Sequence, residues 1–163
     1  MKNSERILKI LYVTLTISLI LVWGQSCLNK EQSTVSSDFV IDRIEPVDEL
    51  KNGDEAAHAE YQFLHDLVRK LAHVIEYAAV GFQVMCILYL RKKDSLKYYA
   101  ICLYFGLTVG FLDESIQILS SRGPLILDLW IDLGGVVVGI LAAFVLRAVI
   151  QHVTSRKELK VTA

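Results

Sequence analysis

Hydrophobic positions gather into four long runs along the chain, with polar stretches between them. The first spans Ile7 to Trp23 and is entered from Lys2, Arg6 and Lys9. The second extends from about Val68 to Leu90, the third from Tyr98 to about Leu119, and the fourth from about Leu125 to Val149. A helix rises ~1.5 Å per residue, so ~20 apolar residues cross the ~30 Å hydrocarbon layer of a bilayer. The pattern predicts an all-α integral membrane protein: four transmembrane helices, with an extracytoplasmic segment between the first and the second.

The polar breaks give orientation. Leu28 to Asp66 is acidic, carrying Glu31, Asp38, Asp42, Glu45, Asp48, Glu49, Asp54 and Glu55, with turn signals at Pro46 and Asn52-Gly53. Short amphipathic helices are predicted near Ser37–Ile44 and from Glu55 onward, the latter running straight into the second span. Arg91-Lys92-Lys93, with Asp94 and Lys97 after it, forms a short basic loop, and Arg156, Lys157 and Lys160 make the tail basic. Short cytoplasmic loops collect Lys and Arg. Both termini and the basic loop are therefore placed in the cytoplasm. The acidic segment and the turn Ser120-Ser121-Arg122-Gly123-Pro124 are placed outside.

Residues 1–25 then form an N-terminal transmembrane helix, 26–66 an acidic extracytoplasmic segment, 67–150 a three-helix membrane core and 151–163 a basic cytoplasmic tail. The first run exceeds the ~7–15 apolar residues of a signal peptide, which favours an uncleaved helix. Gly24-Gln25-Ser26 lacks the apolar residue expected three before a lipidated Cys27.

Composition agrees with a membrane protein: 53% of the 163 residues are hydrophobic and mean hydropathy is +0.43. The net charge of -1 points to no class of partner. Cys27, Cys86 and Cys102 lack metal-ligand spacing and read as packing residues. There is no glycine-rich phosphate loop and no nucleic-acid motif, so neither a nucleotide cofactor nor a nucleic-acid partner is expected.

Candidate chemistry comes from ionisable residues inside the runs, where their burial is costly and function is the default hypothesis. Lys70, His73 and Tyr77 fall on one helical face, bordered by Glu76. Gly106, Gly110, Asp113 and Gln117 form a stripe on the third span with Glu114 beside it, and Asp128, Asp132, Gly135 and Gly139 form another on the fourth. Gly-x-x-x-Gly faces let helix backbones approach closely. The polar groups lie within ~10 Å of the outer boundary, by the rise per residue. The three spans thus aim Glu76, Asp113, Glu114, Asp128 and Asp132 at one pocket with Lys70, His73 and Arg122. Acids exceed bases, which calls for protonated carboxylates or a bound cation. No two histidines share a face with an acid at ligand spacing, so zinc is not expected.

Lys70-x-x-His73-x-x-x-Tyr77, then Asp113-Glu114-x-x-Gln117, then Arg122 followed by Asp128, Asp132 and Gly135, resemble the VanZ-like family over roughly Val68 to Val149. Arg69 stands where the family commonly has an acid, Asp132 where it usually has Asn, and apolar Leu125-Ile126-Leu127 replaces a small polar residue. A Ser/Gln-rich stretch after the first span is echoed only in Gln25-Ser26 and Gln32 to Ser37. The resemblance implies a small bacterial multi-pass membrane protein. The family's founding member is linked to low-level resistance to teicoplanin, a lipid-tailed glycopeptide, and no catalytic reaction is settled for the family.

The leading expectation is a pocket for a lipid-linked anionic envelope molecule. Lys70, His73, Tyr77, Asp113, Glu114, Gln117, Arg122, Asp128 and Asp132 would form it, with membrane lipids as partners. An alternative is a hydrolase or transferase of a lipid headgroup, using His73 or Glu114 as acid/base and Tyr77 as a supporting donor. A further alternative is a scaffold acting through its outer segment.

Overall fold

The computed structural model describes residues 2–28, 30–119 and 126–161. Side chains beyond 155 are outside that description. Among the described residues the chain is helical: α1 Lys2–Ser26, α2 Lys30–Ile41, α3 Val47–Asn52, α4 Glu55–Leu90, α5 Leu96–Leu119 and α6 Ile126–Val161. Helices α1, α4, α5 and α6 are long and apolar enough to cross a membrane.

Large apolar side chains are exposed along these long helices, including Ile10, Val13, Ile17 and Ile20 of α1 and Leu141, Phe144, Val145 and Val149 of α6. Asp113, Glu114, Gln117, Asp128 and Asp132 are buried instead. Water would penalise that arrangement and hydrocarbon favours it. The protein is a multi-pass membrane protein.

The long helices alternate in direction, so α4 and α6 run parallel, and these two share the most extensive interface. The predicted glycine face explains their closeness. A Cβ on Gly139 would collide with the backbone of Ala78 and Phe82, and one on Gly135 would meet Val74 O at 2.8 Å. Gly81 of α4 returns the contact against the Val136 backbone. Around this crossing Tyr77, Met85, Cys102, Val109, Val136, Ile140 and Ala143 form the main core with Val22 of α1.

The polar segment makes a second, smaller core. Ile41, Val47 and Leu50 pack on Tyr61, Leu64 and Val68 of α4. Helix α2 begins and ends earlier than the expected Ser37–Ile44, and α3 is an additional helical turn. The predicted continuation from Glu55 is present: α4 is one unbroken helix of 36 residues. Asp54 caps its start, accepting from Ala57 N at 3.0 Å. At ~1.5 Å per residue α4 is ~54 Å long, so its first turns stand beyond a ~30 Å hydrocarbon layer and carry α2 and α3.

Asp38 fastens that arrangement. It accepts from Lys51 Nζ at 2.7 Å and from the Tyr61 hydroxyl at 2.7 Å, tying α2 to α3 and α4. Burial would raise its carboxyl pKa, but these two bonds outweigh burial and hold it below the ordinary value. The Asp38 bond raises the Lys51 ammonium pKa in turn.

Candidate functional site

Alternation of direction brings the C-terminal ends of α1 and α5 beside the N-terminal end of α6, against the middle of α4. Among the described residues, the buried carboxylates of the core lie at this end. His73 Nδ1 is 2.9 Å from Asp132 Oδ1. Its ring stacks on Tyr77, with centroids 6.3 Å apart and planes at 7°. From α5, Asp113 is held on both oxygens: Ser26 Oγ bonds Oδ1, and Gln117 Nε2 donates to Oδ2 at 2.9 Å. Asp113 and Asp132 are each only 1% exposed. Gln25 of α1 donates to Glu76 Oε1 at 2.5 Å.

One turn before His73, Arg69 pairs with Asp128 Oδ2 at 3.5 Å. Asp128 lies in the first turn of α6, where the helix dipole favours a negative charge. Positions four apart share a helix face, so Arg69 and His73 both reach α6, to Asp128 and Asp132. Lys70 is half-buried and makes no ion pair with the described residues. Glu114 is buried beside Asp113. Arg122 lies outside the described residues.

The cluster opens into a cavity of about 260 Å³. Ser26, Ser33, Ser37, Arg69, His73 and Asp113 are among its lining residues. Its walls come from α1, α4 and α5 and, on the polar side, from α2. Ser33, Ser36, Ser37 and Val40 recur at helical spacing along α2 and present one face to the space.

Of the residues singled out in the sequence, His73, Glu76, Tyr77, Asp113, Gln117 and Asp132 come together here, with Glu114 buried beside Asp113 and Asp128 one turn away. Ser26, Gln25, Arg69 and the serines of α2 were not among the candidate site residues. Gln25-Ser26 and Gln32 to Ser37 stood in the sequence only as an echo of the Ser/Gln-rich stretch of the resembled family. Arg69 was noted only as a departure from the family pattern. The ligand-type atoms of His73, Asp113 and Asp132 lie within 4.8 Å of one another. They belong to three helices, so no spacing within one helix reveals the group.

Fold and site together define a class: a small multi-pass helical membrane protein with an ionisable cluster buried at one end of its bundle. The chain belongs to the VanZ/LLP1 family, whose profile it matches over residues 8–147. That match takes in α1 and the connecting helices as well as the core. No curated protein and no solved structure matches the chain.

Proposed function

We propose that the protein resides in the cell membrane with both termini in the cytoplasm, and binds the headgroup of a lipid-linked anionic envelope molecule in the outer leaflet. A changed susceptibility to teicoplanin-type glycopeptides would follow. The observation that carries this reading is the cavity: it reaches His73 and buried Asp113 from the end of the bundle where α2 lies, the end that the proposed orientation would set at the outer leaflet. Arg69 and His73 line it as nitrogen donors, with Asp128 and Asp132 orienting them. Lys70 and Arg122 are proposed as further contacts on charge alone. The orientation is supported by the basic loop Arg91-Lys92-Lys93 at the opposite end.

Mass spectrometry of lipids retained by the purified protein tests the binding. A phosphorylated or teichoic-acid-type lipid should be enriched over bulk membrane, and Asp113→Asn should abolish the enrichment. In cells, Glu114→Gln and Arg122→Ala should abolish the glycopeptide phenotype at normal insertion levels; full activity of both variants would refute the pocket. An impermeant thiol reagent should label Ser121→Cys and spare Lys93→Cys.

The His73–Asp132 bond favours a second reading. A carboxylate that orients an imidazole is the arrangement of a general base. Under that reading the retained lipid changes mass on incubation, whereas under simple binding it does not.

A further inference from the structure

We infer that His73, Asp113 and Asp132 form a divalent metal site for an ion of the Mn2+ or Zn2+ type. The three side chains arrive from α4, α5 and α6, with potential ligand atoms within 4.8 Å of one another. Bonds of ~2.0–2.2 Å to a common ion require only a small inward rotation of such a set. One imidazole and two carboxylates suit Zn2+ or Mn2+ better than all-oxygen Ca2+.

An independent observation points the same way. Asp132 is 1% exposed, and its Oδ2 makes no well-formed hydrogen bond, with the buried Tyr77 hydroxyl as a neighbouring donor. A carboxylate so buried recovers little of its lost hydration from one weak neutral donor. A cation at this position supplies the missing interaction. The surroundings also hold the ligands in place: Ser26 and Gln117 fix Asp113, and Tyr77 stacks on His73. Such outer contacts orient ligands at metal centres.

The ion also explains how an acid-lined cavity accepts an anion. Arg69 is engaged by Asp128, which leaves the paired aspartates facing His73. A divalent ion there reverses the local sign and leaves coordination positions open toward the cavity for a phosphate oxygen. This last step rests on the proposed function; the metal site does not.

The test uses the full chain in phosphatidylcholine nanodiscs, stripped with EDTA and titrated with MnCl2 or ZnCl2. One ion per chain should bind and raise the thermal unfolding temperature by several degrees. Bound Mn2+ should show nitrogen coupling from a single histidine in its electron paramagnetic resonance spectrum. Asp113→Asn and Asp132→Asn should each weaken binding at least ~10-fold and remove the metal-dependent shift, while Asp94→Asn keeps both. Equal metal response in wild type and the two aspartate variants overturns the site. Should those variants fail to fold, wild-type Mn2+ spectra lacking the nitrogen coupling overturn it as well. Phosphatidic acid added to the nanodiscs should perturb the Mn2+ spectrum. Metal binding without that perturbation upholds the site and refutes headgroup binding. Phosphatidic acid binding unchanged by EDTA refutes the bridging role.

Discussion

The two ends of the bundle use the same ingredients with opposite consequences. At one end Tyr77, Asp113 and Asp132 are buried among helices, with His73 17% exposed beside them at the cavity. At the other, Arg147 pairs with Asp94 and covers the Tyr89 ring at 4.6 Å, while the Tyr89 and Tyr99 hydroxyls meet at 2.8 Å. The side chains of that second pair are 32% and 50% exposed. Exposed ion pairs are worth little, because water and salt screen them. A buried pair is different: each partner was taken from water at a cost, and losing one strands the other. The contrast teaches that position, more than residue type, separates a site from an anchor.

The sharpest way to break the comparison is His73→Ala. It leaves Asp132 buried without its partner and should cost about 3–5 kcal/mol, read as lost resistance to unfolding in detergent. If it costs no more than Arg147→Ala, the ends are energetically alike. Next comes the crossing between them. Gly139→Val forces a side chain into the backbone of Ala78 and Phe82 and should cost about 1–3 kcal/mol or more. That loss should be equal with and without added metal, unlike a loss at the site.

A smaller effect is expected where α2 and α3 dock. Asp38 has a depressed folded pKa, so its contribution is complete above the unfolded value of about 3.9 and lost as pH falls through the folded one. The raised pKa of Lys51 means its share is complete below an unfolded value of about 10.4 and lost as pH rises through the folded one. Asp38→Asn should cost about 1.5 kcal/mol at neutral pH and flatten the acid limb of the stability profile. A wild-type profile without an acid limb would contradict the clamp. The smallest effect is Arg147→Ala, under about 1 kcal/mol and shrinking further in salt.

Much of this was legible in the chain. Apolar run length gave the four long helices, because hydrocarbon thickness sets a minimum that few other structures need. Helical periodicity put His73 with Tyr77 and Asp113 with Gln117. Periodicity is blind to which neighbour a face meets. Lys70 and Arg69 flank the face of His73 on either side, and only the placement of α6 assigns the ion pair to Arg69. Ser26 gains its meaning from Asp113, 87 positions away. The boundaries of α2 and the existence of α3 depend on docking against α4, since six residues hold no stable helix alone. The position of α2 also changes how the scaffold alternative must be tested. Deleting Leu28 to Asp54 removes a wall of the cavity along with any docking surface, so point changes on the outward face, such as Val35→Ser or Phe39→Ser, separate the two readings instead.

The Asp38 clamp bears on how anything gains admission. A cover hinged at α2 would have to break the bonds from Lys51 and Tyr61 to Asp38 each time it lifted. Under the proposed binding role the chamber beneath α2 would therefore act as a fixed gauge, selecting by girth and charge at the threshold rather than by moulding itself around its guest.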